Sequence, residues 1–588
     1  MEITAYHTMI SSRRSFYITL ILVVFVQIVL SFQGFDVCDD GFVLTGYQQI
    51  FNAPESVEYN FVYWLSTLMG GVWYQLFPSG GVLWFRILAV LVNTLTFVLA
   101  YRLLKNYIKP IYALLGLSMV LFVNDFGFLV FYHNQFTALF AVSIAYFLER
   151  GLVKNSIRHL LISGVLIGVN VSTRLPNITL SVLILVIPYA YYLNGKRLKQ
   201  SIKPIMYFIL GIIMGLAIIL ILLLALGHLQ ISQNAIATLF NLGATRGSGH
   251  SILDMLKIVV INYQKVFILG VGFTGFIGIA IIASVYFQKQ RLVKYLIYAA
   301  TFVVFLYVFK REGIHAVYAF SLIGLLGILI KKQTDISLKV ISFMALLILI
   351  CLPLGSGGGM RSSGYMCIWL AVPISLYFIA ETNTLSPVFK SKSNVVSGRF
   401  LTAFSVVIAL SYFAAKGYSM SREAYFDPGS RLEKTSGINN QFAQYVYTTE
   451  ERADIINELL MGIDGYVKPN DYLLAFDNIP MVHFMTETKP YVNNPWPMIY
   501  DSVSFEEKLS NAEVSINEYP IVVQQKFITI GAFSEPIPDY LNANEERGVY
   551  YNKERTQAMI SFLERNAYEM VWSNDYFNIY KTSKVKRK

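Results

Sequence analysis

Residues 13–42 read RRSFYITLILVVFVQIVLSFQGFDVCDDGF: two arginines, an uncharged apolar run from Ser15 to Phe32, then three carboxylates, Asp36, Asp39 and Asp40. The run is long enough to cross a hydrocarbon core. It is also long for a signal peptide, no small-x-small cleavage pattern follows it, and Cys38 lacks the small residues that precede a lipidated cysteine. It therefore reads as a retained first span. Beyond it, the 53 residues from Gln33 to Phe85 contain no Lys or Arg, yet hold Asp36, Asp39, Asp40, Glu55 and Glu58. A carboxylate-only loop at the edge of a membrane is where chemistry is expected.

The rest of the chain agrees with a membrane setting. With 55% hydrophobic and 14% charged residues over 588 positions, and a mean hydropathy of +0.52, it reads as a polytopic membrane protein. The net charge of +11 does not point to nucleic acid. Residues 1–416 hold 30 Lys+Arg against 12 Asp+Glu, whereas 417–588 hold 17 against 24, so the basic excess belongs to membrane topology. Cys38, Cys351 and Cys367 have no paired spacing and imply neither a disulfide framework nor a metal knuckle.

Apolar runs of spanning length fall at about 15–33, 83–104, 108–124, 127–148, 158–173, 176–193, 204–227, 263–287, 293–309, 313–330, 338–353, 364–381 and 399–415, thirteen in all. Alternate loops differ in charge. One side carries 21 basic residues, including Arg13, Arg14, Arg150, Lys154, Lys196, Arg197 and Lys339; the other carries only Arg174, Arg246, Lys257, Lys265, Lys310, Arg311 and Arg361. The positive-inside rule then puts the N-terminus in the cytoplasm, and an odd number of spans puts 417–588 outside. The chain thus divides into a transmembrane domain, 1–416, with a first outer loop over 34–82, and an extracytoplasmic domain, 417–588.

Asn60–Phe77 is nearly long enough to span, but a crossing there would reverse the charge asymmetry. Its Trp and Tyr content fits a helix lying in the interface. Val43, Tyr47, Ile50 and Phe51 share one helical face before Pro54, so the first outer loop is expected to be two helices resting on the membrane. After 417 the pattern becomes that of a soluble α/β domain. Helices are expected at Glu450–Met461, Phe505–Asn511 and Arg555–Asn566, and strands at Tyr472–Phe476, Pro520–Gln524, Glu569–Trp572 and Tyr576–Tyr580, the last two around the turn Asn574-Asp575. No nucleotide-binding glycine fingerprint occurs there.

Asp39 and Asp40 form the sharpest constellation. Adjacent carboxylates at a hydrophobic boundary repel one another and lose hydration, which raises a pKa and suits a general base. The plain alternative is an acidic helix start, which spacing alone favours. The wider layout changes that balance. A cytoplasmic N-terminus, one span, the acidic pair Asp39-Asp40 followed by Gly41 and Phe42, an interfacial loop, many further spans and an outer tail together resemble the GT-C superfamily of membrane glycosyltransferases, which includes protein O-mannosyltransferases and the lipid A aminoarabinose transferase. The family's pair is usually Asp-Glu, so which aspartate is the base is open. The tail segment Leu473–Pro490, a strand, Ile479-Pro480 and a short helix, is also similar to soluble tails of bacterial members.

The resemblance implies an α-helical polytopic fold with a C-terminal α/β domain in the bacterial cytoplasmic membrane. It further implies transfer of a sugar from a polyprenyl-phosphate donor to a glycan, lipid or protein acceptor at the outer face. Asp40, helped by Asp39, would be the base, with Asp36 beside them at the substrate. The departing lipid phosphate calls for cations, and guanidinium binds it best by donating two parallel hydrogen bonds. Candidates are the sparse outward ones: Arg174, Arg246, Lys310, Arg311 and Arg361; harmless snorkelling to head groups is the alternative for each. Asp125 and His133 flank the outer ends of neighbouring spans, where the family often carries a second polar site residue. No cofactor is implied, although Asp125 is a candidate to hold an acceptor or a divalent ion. A flippase of lipid-linked saccharides would instead show repeats and mid-span charges, and an envelope polymerase or ligase would put its large domain in a mid-chain loop.

Overall fold

The computed structural model describes residues 2–123, 129–244, 252–287, 289–355, 359–381, 398–422, 424–526 and 552–585. Each of the thirteen apolar stretches contains a helix among its described residues. Among the described residues, seven helices are long and apolar enough to cross a membrane: Arg13–Leu30, Pro78–Leu104, His133–Val153, Leu175–Leu193, Leu198–Ala225, Leu256–Ala280 and Arg291–Glu312. Gly359–Cys367 and Ala371–Glu381, bent by 71°, make an eighth if they act together. The expected count of thirteen spans is therefore not confirmed. Pro110–Phe122, Ile157–Asn170, Ile314–Ile330 and Ile336–Cys351 have only 10–17 residues, which at about 1.5 Å per residue falls short of a core roughly 30 Å thick. Sidedness thus rests on loop charge and not on the number of crossings.

Close packing in the bundle comes from small residues. Gly164 and Gly168 face Gly211 and Gly215 across the helices Ile157–Asn170 and Ile202–Ala225, with a β-carbon on Gly164 falling 2.1 Å from the Phe208 carbonyl oxygen. Two four-residue glycine spacings let these backbones touch where lipid supplies no hydrophobic drive.

The loop between the first two spans folds as the helix Asp39–Gln49, a 3-10 segment Pro54–Tyr63 and the helix Trp64–Leu76. Two helices resting on the membrane were expected here, and the two differ in burial. Trp64–Leu76 exposes Met69, Val72 and Leu76 on one apolar face, as an interfacial helix does. Asp39–Gln49 is instead buried from Asp40 to Gln49. It lies against the tail helix Met481–Thr486 so closely that a β-carbon on Gly41 would sit 2.1 Å from the Met481 nitrogen. Trp73 and Trp84 tie the loop to the next span: their rings stack at 4.2 Å, and each indole N–H donates to the other's carbonyl at 2.9 Å.

Beyond the helix Gly398–Arg422 the chain builds a five-stranded sheet in the order Lys489–Pro490, Tyr472–Phe476, Ile521–Gln525, Phe577–Thr582, Tyr568–Ser573. The first three strands are parallel and the last two antiparallel, with Leu473 opposite Ile521 and Val523 opposite Ile579. Helices Glu450–Asp464, Ser502–Ser515 and Lys553–Arg565 accompany it. Ile455, Leu459 and Ile463 recur along one face of the first of these and pack with Leu473, Val523 and Ile579.

This tail is anchored onto the chain leaving the first span. Asp427 is the hub: its carboxylate accepts from the Phe35 N–H at 2.7 Å, the Thr448 hydroxyl at 2.8 Å and the Lys434 ammonium at 2.8 Å. Arg452 lies 3.7 Å from the same carboxylate and donates to the Phe35 carbonyl. Such a buried charge persists because hydrogen bonds replace the lost water.

Candidate active site

The three aspartates that follow the first span have different surroundings. Asp36 caps the helix Asp39–Gln49, accepting the backbone N–H groups of Cys38 at 2.8 Å and Asp40 at 2.9 Å. Both its oxygens face main-chain donors, the role of an acidic helix start. Burial, then the charges of Asp40 and Asp39, push its pKa well up, and the two N–H groups oppose that shift.

Asp40 is buried against Arg86, whose Nη2 lies 3.4 Å from Asp40 Oδ2. That guanidinium sits near one end of the span Pro78–Leu104 and also donates to the Ser31 carbonyl at 2.8 Å and the Gly34 carbonyl at 2.7 Å. It thereby clamps the exit of the first span to the start of the next. Burial raises the Asp40 pKa to about 7, with Arg86 pulling it down and Asp39 pushing it up.

Asp39 is half-buried and takes a 2.6 Å hydrogen bond from the Tyr425 hydroxyl, which the tail supplies. Burial pushes its pKa up to about 6 against this hydrogen bond. A carboxylate poised there is basic enough to accept a proton, and still largely ionised near neutral pH.

Three phenols are close enough to feel the charges of both Asp39 and a buried cation. Tyr63, Tyr132 and Tyr365 each lie in the field of Asp39, and all three also lie in that of Arg174. Tyr63 stacks on His133 at 3.9 Å, and Asn134 donates to the Tyr365 hydroxyl. Arg174 is 6% exposed and points toward the Met366 sulfur at 4.0 Å. Among the described residues no carboxylate pairs with it. The structure therefore brings Asp39, His133 and Arg174 into one neighbourhood, and sets Asp36 and Asp40 just behind it.

The other cations lie apart. Lys310 and Arg311 end the helix Arg291–Glu312 and are exposed, Arg311 lying 3.6 Å from Glu312, which Lys265 approaches to 2.5 Å. Arg361, on the short helix Gly359–Ser363, is exposed and in the field of His315. The next turn connects the two groups, since Gly364 accepts from the Tyr318 hydroxyl at 3.1 Å while Tyr365 and Met366 reach the Arg174 neighbourhood. Asp125 and Arg246 lie outside the described residues. Among the described residues no three metal-type ligands cluster.

Sequence reasoning missed Arg86, Tyr425 and these three tyrosines, Tyr63, Tyr132 and Tyr365. A signal existed for Arg86, because an ionisable residue within a span asks for a partner. Tyr425 had none, as its partner is 386 residues away.

Residues 62–224 match the family model described as dolichyl-phosphate-mannose-protein mannosyltransferase. That segment contains Tyr63, Arg86, Tyr132, His133 and Arg174 and begins after the aspartates. No curated protein matches the chain in sequence. Solved structures similar to it include the oligosaccharyltransferase of Archaeoglobus fulgidus in complex with zinc and sulfate, at 13% identity and a TM-score of 0.45, covering 86% of this chain and 68% of that one. Another is ArnT from Cupriavidus metallidurans bound to undecaprenyl phosphate, at 12% identity and a TM-score of 0.43, covering 96% and 97%. Across residues 62–224 the chain thus matches the dolichyl-phosphate-mannose-protein mannosyltransferase family, in agreement with the GT-C resemblance carried by its layout.

Proposed function

We propose that this protein is a membrane glycosyltransferase that moves a sugar from a polyprenyl-phosphate carrier to an acceptor hydroxyl or amine at the outer face of the bacterial cytoplasmic membrane. The observation that carries this reading is the pairing, beside the same three tyrosines, of a half-buried carboxylate with a buried cation that has no carboxylate partner among the described residues. An isolated buried cation is costly, and a phosphate that fills its place relieves that cost. The match to a family whose printed donor is a dolichyl-phosphate sugar supports the same chemistry.

Asp39 is the base in this scheme. It takes the acceptor's proton as the acceptor oxygen or nitrogen bonds to the anomeric carbon. The bond from that carbon to the phosphate oxygen breaks, and its electron pair leaves with the lipid phosphate. Arg174 neutralises the departing anion through parallel N–H donors. Asp40, tied to Arg86, positions the loop and does not meet the acceptor. Tyr425 holds Asp39 in place and keeps it ionised.

The test is purified protein in vesicles with a radiolabelled polyprenyl-phosphate sugar and extracted envelope acceptors. Label should appear on an acceptor with stoichiometric release of polyprenyl phosphate. Movement of intact donor across the bilayer without that release would contradict the proposal and favour a flippase.

A further inference from the structure

A second polar cavity lies at the opposite ends of the helices from the aspartates, where the helix His133–Val153, the end of Val186–Leu193 and the start of Ile336–Cys351 meet. Its volume is about 230 Å³, and Glu149, Asn155, Tyr191, Asn194, Lys196 and Ser337 are among its lining residues. That is smaller than the roughly 300–1,000 Å³ of a pocket that encloses a whole drug-sized ligand, and it suits a compact polar head group whose chains stay outside.

Glu149 is the unusual member, a carboxylate only 4% exposed near the end of the helix His133–Val153. Its Oε1 accepts from the Tyr107 hydroxyl. Its Oε2 takes no hydrogen bond among the described residues: the nearest cation, Arg150, is 3.6 Å away, part-exposed, and lies over the Tyr146 ring. A buried anion that lines the cavity thus has one oxygen held only by a long ion pair, and a further donor there would stabilise it. At the mouth, Lys196 is exposed with its ammonium 5.1 Å above the Tyr191 ring and no carboxylate partner among the described residues. Val153, Tyr192 and Ile336 flank the opening as exposed apolar side chains. Lys154, Arg197 and Lys339 belong to the same basic set of loops.

We infer that this cavity binds the head group of an aminophospholipid, its primary ammonium donating to Glu149 and its phosphate meeting Lys196, with acyl chains along the apolar rim. Charge decides between lipid classes. An anionic head group would suit the basic rim, and its hydroxyls could donate to Glu149, but it would bring no positive charge to offset the buried carboxylate. A quaternary choline has no N–H to give. A primary ammonium supplies both the charge and the hydrogen bond, and phosphate accepts from Lys196 without competing for Glu149. The inference stands independently of sugar transfer and uses residues on the other side of the bundle from Asp39.

The test is native mass spectrometry of the full-length protein released from nanodiscs of equimolar phosphatidylethanolamine, phosphatidylglycerol and phosphatidylcholine with identical acyl chains. The expected result is retention of phosphatidylethanolamine over phosphatidylcholine by about ten-fold or more, the worth of one charge-assisted hydrogen bond. Glu149→Gln should bring phosphatidylethanolamine down to the phosphatidylcholine level, and Lys196→Ala should lower retention of all three alike. Equal retention of the three lipids, preference for phosphatidylglycerol, or an unchanged preference in Glu149→Gln would overturn the inference. The wild-type competition decides by itself if a variant fails to fold.

Discussion

The hydroxyl of Tyr425 donates a 2.6 Å hydrogen bond to Asp39, joining the tail to the loop between the first two spans across 386 residues of chain. Asp39 is ionised when it accepts this bond, so the bond lowers its pKa, while burial raises it to about 6. Removing the hydroxyl should leave burial unopposed. In Tyr425→Phe the acidic limb of the pH–rate profile, set near pH 6 in the wild type, should move to higher pH by about one unit, the equivalent of a charge-assisted hydrogen bond. Turnover on the alkaline plateau should change little. A limb that stays in place or moves to lower pH would count against Asp39 as the titrating base.

Arg86 and Asp40 bear on folding more than on turnover. Replacing Arg86 with Met leaves a buried carboxylate unpaired and frees the Ser31 and Gly34 carbonyls. Loss of one partner from a buried pair costs about 3–5 kcal/mol. Thermal unfolding of the solubilised protein should show that loss in Arg86→Met, and part of it should return in the double variant Arg86→Met/Asp40→Asn, where no lone charge remains.

The outward cations should separate by burial. Arg174→Ala should raise KM for the lipid-linked donor by about ten-fold or more, with Arg174→Lys between it and wild type, since lysine cannot donate two parallel bonds. Arg311 is 69% exposed next to Glu312 and should change KM less than about two-fold as Ala, because exposed ion pairs contribute little. Arg361→Ala should fall between the two. Donor titrations of the three variants under one condition give the order directly.

Local patterns in the chain foretold much of this architecture. Uncharged runs became helices because nothing else satisfies their backbone in lipid, while the short apolar run Tyr472–Phe476 became a buried strand and the segments around Asn574-Asp575 became two strands and a turn. Contacts between distant segments were not legible. Asp39–Gln49 looked like a surface helix because the helix that buries it, Met481–Thr486, lies more than 400 residues later. Arg86 escaped because loop charges were tallied and charges within spans were not. The glycine spacings at Gly164–Gly168 and Gly211–Gly215 were visible in the sequence, but only the structure pairs them.

The most direct measurement is the rate at which Asp39→Asn frees polyprenyl phosphate from a saturating labelled donor and acceptor, beside Asp40→Asn in the same folded amount. Loss of a general base removes a factor of about 10²–10⁴, so Asp39→Asn should fall by that much, while Asp40→Asn stays within roughly ten-fold of wild type. If Asp39→Asn releases lipid phosphate nearly as fast as wild type, Asp39 is not the base and the site must be sought elsewhere.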